Sequence, residues 1–225
     1  MSAVVPLLLP IDTKAPSLMA VELAAVVAPP IADEVLLLHV SEHPPRLDLL
    51  AELHALAEPI RDTGLPVRLR MVRGHPGERI PEVAVERNAK WILMGTSGED
   101  FREGGGSTTH TVMRCSPVPV IAVRPGVPPA RSRDPIALVG ADTGHLARSV
   151  ARVLAESHAV GIREFNPELR PLDGLPPGVS VRMTVAPFDP DGGMGTWCRT
   201  LLKTQPRPVL LVSGGERERV GDRAG

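Results

Sequence analysis

Short apolar runs alternate with helically spaced apolar residues through residues 4–124, and few architectures satisfy that alternation. Residues 4–11 (VVPLLLPI), 34–40 (EVLLLHV), 67–72 (VRLRMV), 91–94 (WILM) and 118–123 (VPVIAV) read as strands. Between them, Leu18, Val21, Leu23, Ala24 and Val27, then Leu47, Leu50, Leu53, Leu56 and Ile60, recur at helical spacing. Further helices are expected around residues 78–88 and over residues 109–115. Near-continuous apolar strands are buried on both faces, which requires helices above and below a parallel sheet. The expected fold is therefore α/β, with a parallel five-stranded, doubly wound (Rossmann-like) sheet in residues 1–126. Pro81 would fall inside the third helix unless that helix starts late enough to leave it in the first turn.

In such a sheet, ligands bind beyond the carboxyl ends of the strands, where strand order reverses. Asp12, Val40 and Gly95 all follow or close a strand and are expected on one rim. Residues 94–123 concentrate the strongest signals. Gly95 and Gly98 follow the strand WILM, and Gly104, Gly105 and Gly106 lead into Ser107, Thr108 and a short helix. A glycine-rich loop opening onto a helix leaves backbone N–H groups free to hold an anion such as phosphate. The same groups can be capped by Ser107 or Thr108, and Asp12 can cap the helix after the first strand. Both roles are open from the residues alone.

Bulk properties exclude several classes of function. The net charge of −1 leaves no footprint for nucleic acid or a membrane surface. The two cysteines, Cys115 and Cys198, have no metal-ligand spacing and read as free thiols of a reducing compartment. The first residues lack a basic leader, and their apolar run breaks at Pro10, which fits a strand in a cytoplasmic protein. Ser97 is not a nucleophile elbow, because Glu99 stands where that turn needs glycine. No residue supplies an obvious general base, so at most slow turnover is expected.

Residues 127–134 read as a Pro- and Arg-rich linker, residues 135–213 as a smaller, truncated α/β repeat, and residues 214–225 as a polar tail. The repeat rests on several matches. Asp12-Thr13 recurs as Asp142-Thr143, where a helix cap is the preferred role for the Asp. Residues 106–123 (GSTTHTVMRCSPVPVIAV) align without a gap on residues 195–212 (GTWCRTLLKTQPRPVLLV), prolines included. Residues 67–72 resemble residues 179–184 (VSVRMT), so the second copy is expected to lack the helix and strand that follow that point in the first. Pro119 and Pro208 imply that the last strand of each half is an edge. An apolar edge needs a partner, so residues 118–123 are expected to pair with residues 209–212 of the same chain.

These residues carry a resemblance to the universal stress protein family. Gly95-x-x-Gly98, seven residues, Gly106-Ser107 is similar to the phosphate loop of its nucleotide-binding members, with a spacer two residues shorter. Pro10-Ile11-Asp12 resembles the end of the family's first strand, His39-Val40 the end of its second, and Gly74-x-Pro76 the turn before its third helix. The resemblance implies a stress-response or signalling protein that binds ATP or another adenine nucleotide, with or without Mg. It places Asp12 beside the ribose or a metal, Val40 against adenine, and Met94 and Gly95 along the wall, with Pro10 and Ile11 also in the binding site. Gly98, Gly106, Ser107 and Thr108 would then hold phosphates. It also implies an intramolecular pseudo-dimer, with or without further homodimerisation. The alternative is a pseudo-dimeric scaffold for protein partners with a vestigial nucleotide site.

Overall fold

The computed structural model describes residues 5–13, 15–29, 31–44, 46, 48–96, 108–124, 126, 133–139, 145–165, 182–188, 201–202, 204–205 and 207–213. Their strands form a single nine-stranded sheet in the order β3-β2-β1-β4-β5-β9-β8-β6-β7. The first half contributes β1 (Pro6–Pro10), α1 (Ala15–Val27), β2 (Glu34–Ser41), α2 (Leu49–Arg61), β3 (Val67–Arg73), α3 (Pro76–Glu86), β4 (Trp91–Gly95), α4 (Thr108–Cys115) and β5 (Val120–Arg124). The second contributes β6 (Ile136–Val139), α5 (His145–Ser157), β7 (Ile162–Phe165), β8 (Met183–Pro187) and β9 (Val209–Ser213). The fold is the expected doubly wound α/β type. All pairings are parallel except one.

Strand β1 is the axis of the first half. Leu7, Leu8 and Leu9 are wholly buried, and each such side chain contributes about 1.5–3 kcal/mol by leaving water. Leu7 and Leu9 face α1, α2 and α5, whereas Leu8 faces α3 and α4. The split follows from connectivity. The steps from β1 to β2 and β2 to β3 run in one direction across the sheet, and the step from β3 to β4 runs back. Right-handed crossovers therefore put α1 and α2 on one face and α3 on the other.

Pro81 lies at the middle of α3, not in its first turn. Pro76 already holds the first position, so the helix starts earlier than the expectation allowed. The bond lost at Pro81 is outweighed by burial of Ile80, Val83 and Ala84 against the sheet.

The two halves meet along β5 and β9, the one antiparallel pair. Their register sets Ala122 opposite Leu211 and Val120 opposite Ser213. The ungapped sequence alignment equates Ala122 with Leu211, so the register is symmetric about those two residues. Pro119 and Pro208 lie just before their strands, where their carbonyls accept the N–H of Ile92 and of Thr184, each at 2.9 Å. Neither β5 nor β9 is an edge of the finished sheet.

One expectation about the second half is corrected. The strand in the stretch that resembles residues 67–72 is Met183–Pro187, and it lies between β6 and β9. It holds the place that β4 holds in the first half, not that of β3. The N–H of Thr96, beyond β4, donates to Val123 O at 2.9 Å, and that of Phe188, beyond β8, donates to Val212 O at 2.8 Å. Alternating polarity identifies a strand but not its place in the sheet, which is why the resemblance to β3 misled. Among the described residues, no counterpart of β3 is paired beside β7.

Candidate functional site

The order β2-β1-β4 puts a switch point at β1, because the chain leaves it toward β2 and returns on its other side at β4. Pro10 and Ile11 are buried, and the chain emerges at Asp12, which is exposed. The N–H of Ile11 donates to Leu38 O at 2.8 Å. The ring Nδ1 of His39 lies 2.9 Å from Ile11 O. A carbonyl only accepts, so this contact fixes the proton of His39 on Nδ1. Val40 lies two residues past Leu38, which pairs with Pro10, so it stands beside Asp12 at the end of β2. It is half-buried and packs with Val72 on the face that carries α3 and α4.

Asp12 is tied to the start of α1. The Ser17 hydroxyl donates to Asp12 Oδ1 at 2.5 Å, and the Asp12 N–H lies 3.2 Å from Ser17 Oγ. Between them Thr13 has φ +63°. That conformation is rare for a β-branched residue and persists only where the surroundings impose it. The turn thus holds one oxygen of an exposed carboxylate against α1. A Mg ion accompanying phosphates commonly takes only one or two carboxylates and keeps several waters, and the exposed carboxylate of Asp12 suits that demand. Among the described residues, no group of three His, Cys, Asp or Glu side chains is placed to hold a metal.

Gly95 has a structural reason that spacing does not reveal. A Cβ there would lie 2.0 Å from Pro16 O and 2.7 Å from Ser17 N. Glycine therefore lets the first turn of α1 rest directly on the end of β4. Its carbonyl accepts a hydrogen bond of 3.0 Å from Thr109 Oγ1, which ties α4 to the same strand end. Met94 is buried in the core beneath α4 and forms the floor of the rim. Thr108 is half-buried and begins α4, one residue earlier than expected. Gly98, Gly106 and Ser107 lie outside the described residues, as do Asp142 and Thr143.

Asp12, Val40, Met94, Gly95 and Thr108 are thus brought to the ends of neighbouring elements. Sequence reasoning missed Ser17 and Thr109 as their anchors. Ser17 directly precedes the helically spaced residues that start at Leu18, and Thr109 falls within the helix expected over residues 109–115. Neither reading could anticipate that their hydroxyls would serve the ends of β1 and β4.

The model of the universal stress protein family matches residues 6–124. A universal stress protein from Archaeoglobus fulgidus DSM 4304 superposes with a TM-score of 0.61 at 16% identity, over 94% of this chain and 97% of that one. The cytoplasmic domain of a prokaryotic cation chloride cotransporter superposes at 0.66 and 12% identity, over 95% and 97%. A universal stress protein solved in complex with cAMP matches at 0.48 and 24% identity, over 55% of this chain and 98% of that one. At these identities the likeness is one of fold. No curated protein matches the chain. Among the described residues, no helix is long and apolar enough to cross a membrane.

Proposed function

This chain belongs to the universal stress protein family, and from that premise we propose that its first half binds an adenine nucleotide, ATP or AMP, at the rim formed by β1, β2 and β4. The observation that carries this reading is the exposed Asp12 carboxylate at the switch point, flanked by apolar Val40 and by the end of β4. A carboxylate there accepts hydrogen bonds from ribose hydroxyls or meets a phosphate-bound Mg. Val40 offers an apolar side to the base, and Met94 closes the floor. Thr108 begins a helix whose N-terminal N–H groups suit phosphate oxygens. Gly98, Gly106 and Ser107 are proposed as phosphate contacts from the sequence pattern. The protein acts as a nucleotide-dependent signal through these positioning groups.

We also infer that residues 135–213 are a reduced second copy of residues 1–126, so that the chain resembles a dimer made from one polypeptide. The symmetric register about Ala122 and Leu211 supports this, because alignment and strand pairing agree without sharing an assumption.

Calorimetry with ATP and AMP tests the nucleotide reading. Saturable binding below about 1 mM is expected. Asp12→Ala removes a charged hydrogen-bond acceptor worth about 1.5–3 kcal/mol, so its affinity should fall about 10- to 100-fold. Absence of binding at millimolar nucleotide would end the proposal.

A further inference from the structure

The end of β8 reaches across the join. Phe188, the residue after β8, is buried, and its ring meets that of His110 on α4 edge to face, with centroids 6.2 Å apart and planes at 86°. His110 belongs to the first half and Phe188 to the second. The contact is rigid from the Phe188 side. Its N–H is bonded to Val212 O at 2.8 Å, and its side chain belongs to the same core cluster as Leu201 and Leu202.

Three consecutive residues hold the beginning of α4 from three directions. Thr109 Oγ1 donates to Gly95 O, fixing the helix to β4. Thr111 Cγ2 lies 3.1 Å from where a Cβ of Gly77 would be, so α4 seats against the first turn of α3. The His110 ring rests on Phe188. Successive helical residues are turned by about 100° from one another, so these contacts constrain different directions of movement. Two of the supports come from the first half. The third comes from the second half.

We propose that Phe188 is a positioning residue for the nucleotide site of the first half, holding the first turn of α4 in register through His110. The idea rests on the nucleotide reading given above. Under it, Thr108 and the turn that follows receive the phosphates, so their placement sets part of the affinity. Phe188 does not touch nucleotide. It makes the site depend on the second half, and by linkage nucleotide binding tightens the contact between the halves to the same degree. The second half therefore supplies a brace for that site.

The test uses the full chain with ATP as the probe. Calorimetry compares wild type, Phe188→Ala, Phe188→Leu and Leu154→Ala. Leu154 is a buried residue of α5 on the other face of the sheet, so its variant is weakened in stability but keeps the brace. Phe188→Ala is expected to bind ATP at least fivefold more weakly, Phe188→Leu less so, and Leu154→Ala within twofold of wild type. Equal affinity of Phe188→Ala and wild type overturns the proposal, as does an equal loss in Leu154→Ala. In either case wild-type binding leaves the nucleotide reading intact. If wild type itself does not bind ATP, the nucleotide reading fails and this inference fails with it. Should Phe188→Ala not fold, NMR of wild type decides: the imidazole C–H signals of His110 should move on saturation with ATP, and signals that stay fixed overturn the proposal.

Discussion

The ends of β4 and β8 hold the same position in the two halves, yet their side chains make opposite demands. Gly95 and Pro187 pair with Val123 and Val212, and the next residues, Thr96 and Phe188, donate their N–H groups to those same partners. At Gly95 the absence of a side chain admits the backbone of Pro16 and Ser17, which brings α1 and Asp12 onto the strand end. Pro187 carries a ring where that approach would occur, and Phe188 directs an aromatic group toward α4. Two changes of residue type at matched positions, Gly95 to Pro187 and Thr96 to Phe188, separate a strand end that receives a helix turn from one that supports its neighbour.

Moving the Pro187 condition into the first half should have the largest effect. In Gly95→Val, Cβ would enter the space of a backbone carbonyl, and no side-chain rotation relieves it. Either α1 moves away or the variant fails to fold. A loss above about 3 kcal/mol, at the upper end of single substitutions, should appear as a fall in Tm of roughly 6–12 °C. The converse change, Pro187→Gly, should cost only about 0.4–1 kcal/mol through the freer unfolded chain. Thermal unfolding of both variants measures the contrast, and equal losses would show that the two positions are not counterparts in the way the sheet register implies.

The two ends of the join differ in a similar way. The alignment that equates Ala122 with Leu211 equates Arg124 with Ser213. Arg124 Nη2 donates to Gln205 O at 2.6 Å and to Arg207 O at 3.1 Å. Gly126 continues the seam, since a Cβ there would meet Arg207 C at 2.3 Å. Burial lowers the pKa of Arg124 from its ordinary value. At the matched end, Ser213 is buried, and among the described residues its Oγ has no hydrogen-bond partner. Arg124→Ala should therefore lose about 1.5–3 kcal/mol, the usual worth of hydrogen bonds to a charged group. Ser213→Ala should be neutral or gain up to about 1 kcal/mol, because it deletes a desolvated hydroxyl. Urea unfolding of the two variants measures this second contrast, and a loss at Ser213 equal to that at Arg124 would contradict it.

These contrasts mark where sequence reading succeeds and where it stops. The apolar runs PLLLP and EVLLLHV could be read as buried parallel strands because their side chains are apolar on both faces, a property carried by each segment alone. The pairing of β5 with β9 was also legible, because an apolar edge interrupted by proline calls for a partner and the repeat identified one. The place of β8 was not legible. Its alternation resembles that of β3, and only the loss of intervening elements moves it to the position of β4. Gly95 drew attention for the right strand end but for a phosphate, whereas the contact that demands glycine is with Pro16, a residue nearly eighty positions earlier. Phe188 drew none, since one aromatic after a short strand has no spacing to interpret, and its meaning depends on a helix from the other half.

Histidine offers the smallest and most selective probe of the same comparison. Burial lowers the pKa of His110, helped by the nearby charge of Arg114, and burial lowers that of His158, helped by Arg182. Both groups are more easily protonated in the unfolded chain than in the fold. Their contribution to stability is therefore full above the unfolded value, near pH 6.5. It falls as pH drops through that value and stops changing below the folded values. Tm should decline between about pH 7.5 and about pH 5.5. Replacing either histidine with glutamine should flatten part of that decline. His158 follows α5 within the second half, whereas His110 holds Phe188 across the join. Only His110→Gln should therefore also alter the pH dependence of ATP affinity. An unaltered pH dependence of affinity in His110→Gln would place the titrating group elsewhere and leave the brace without a role in the response to acid.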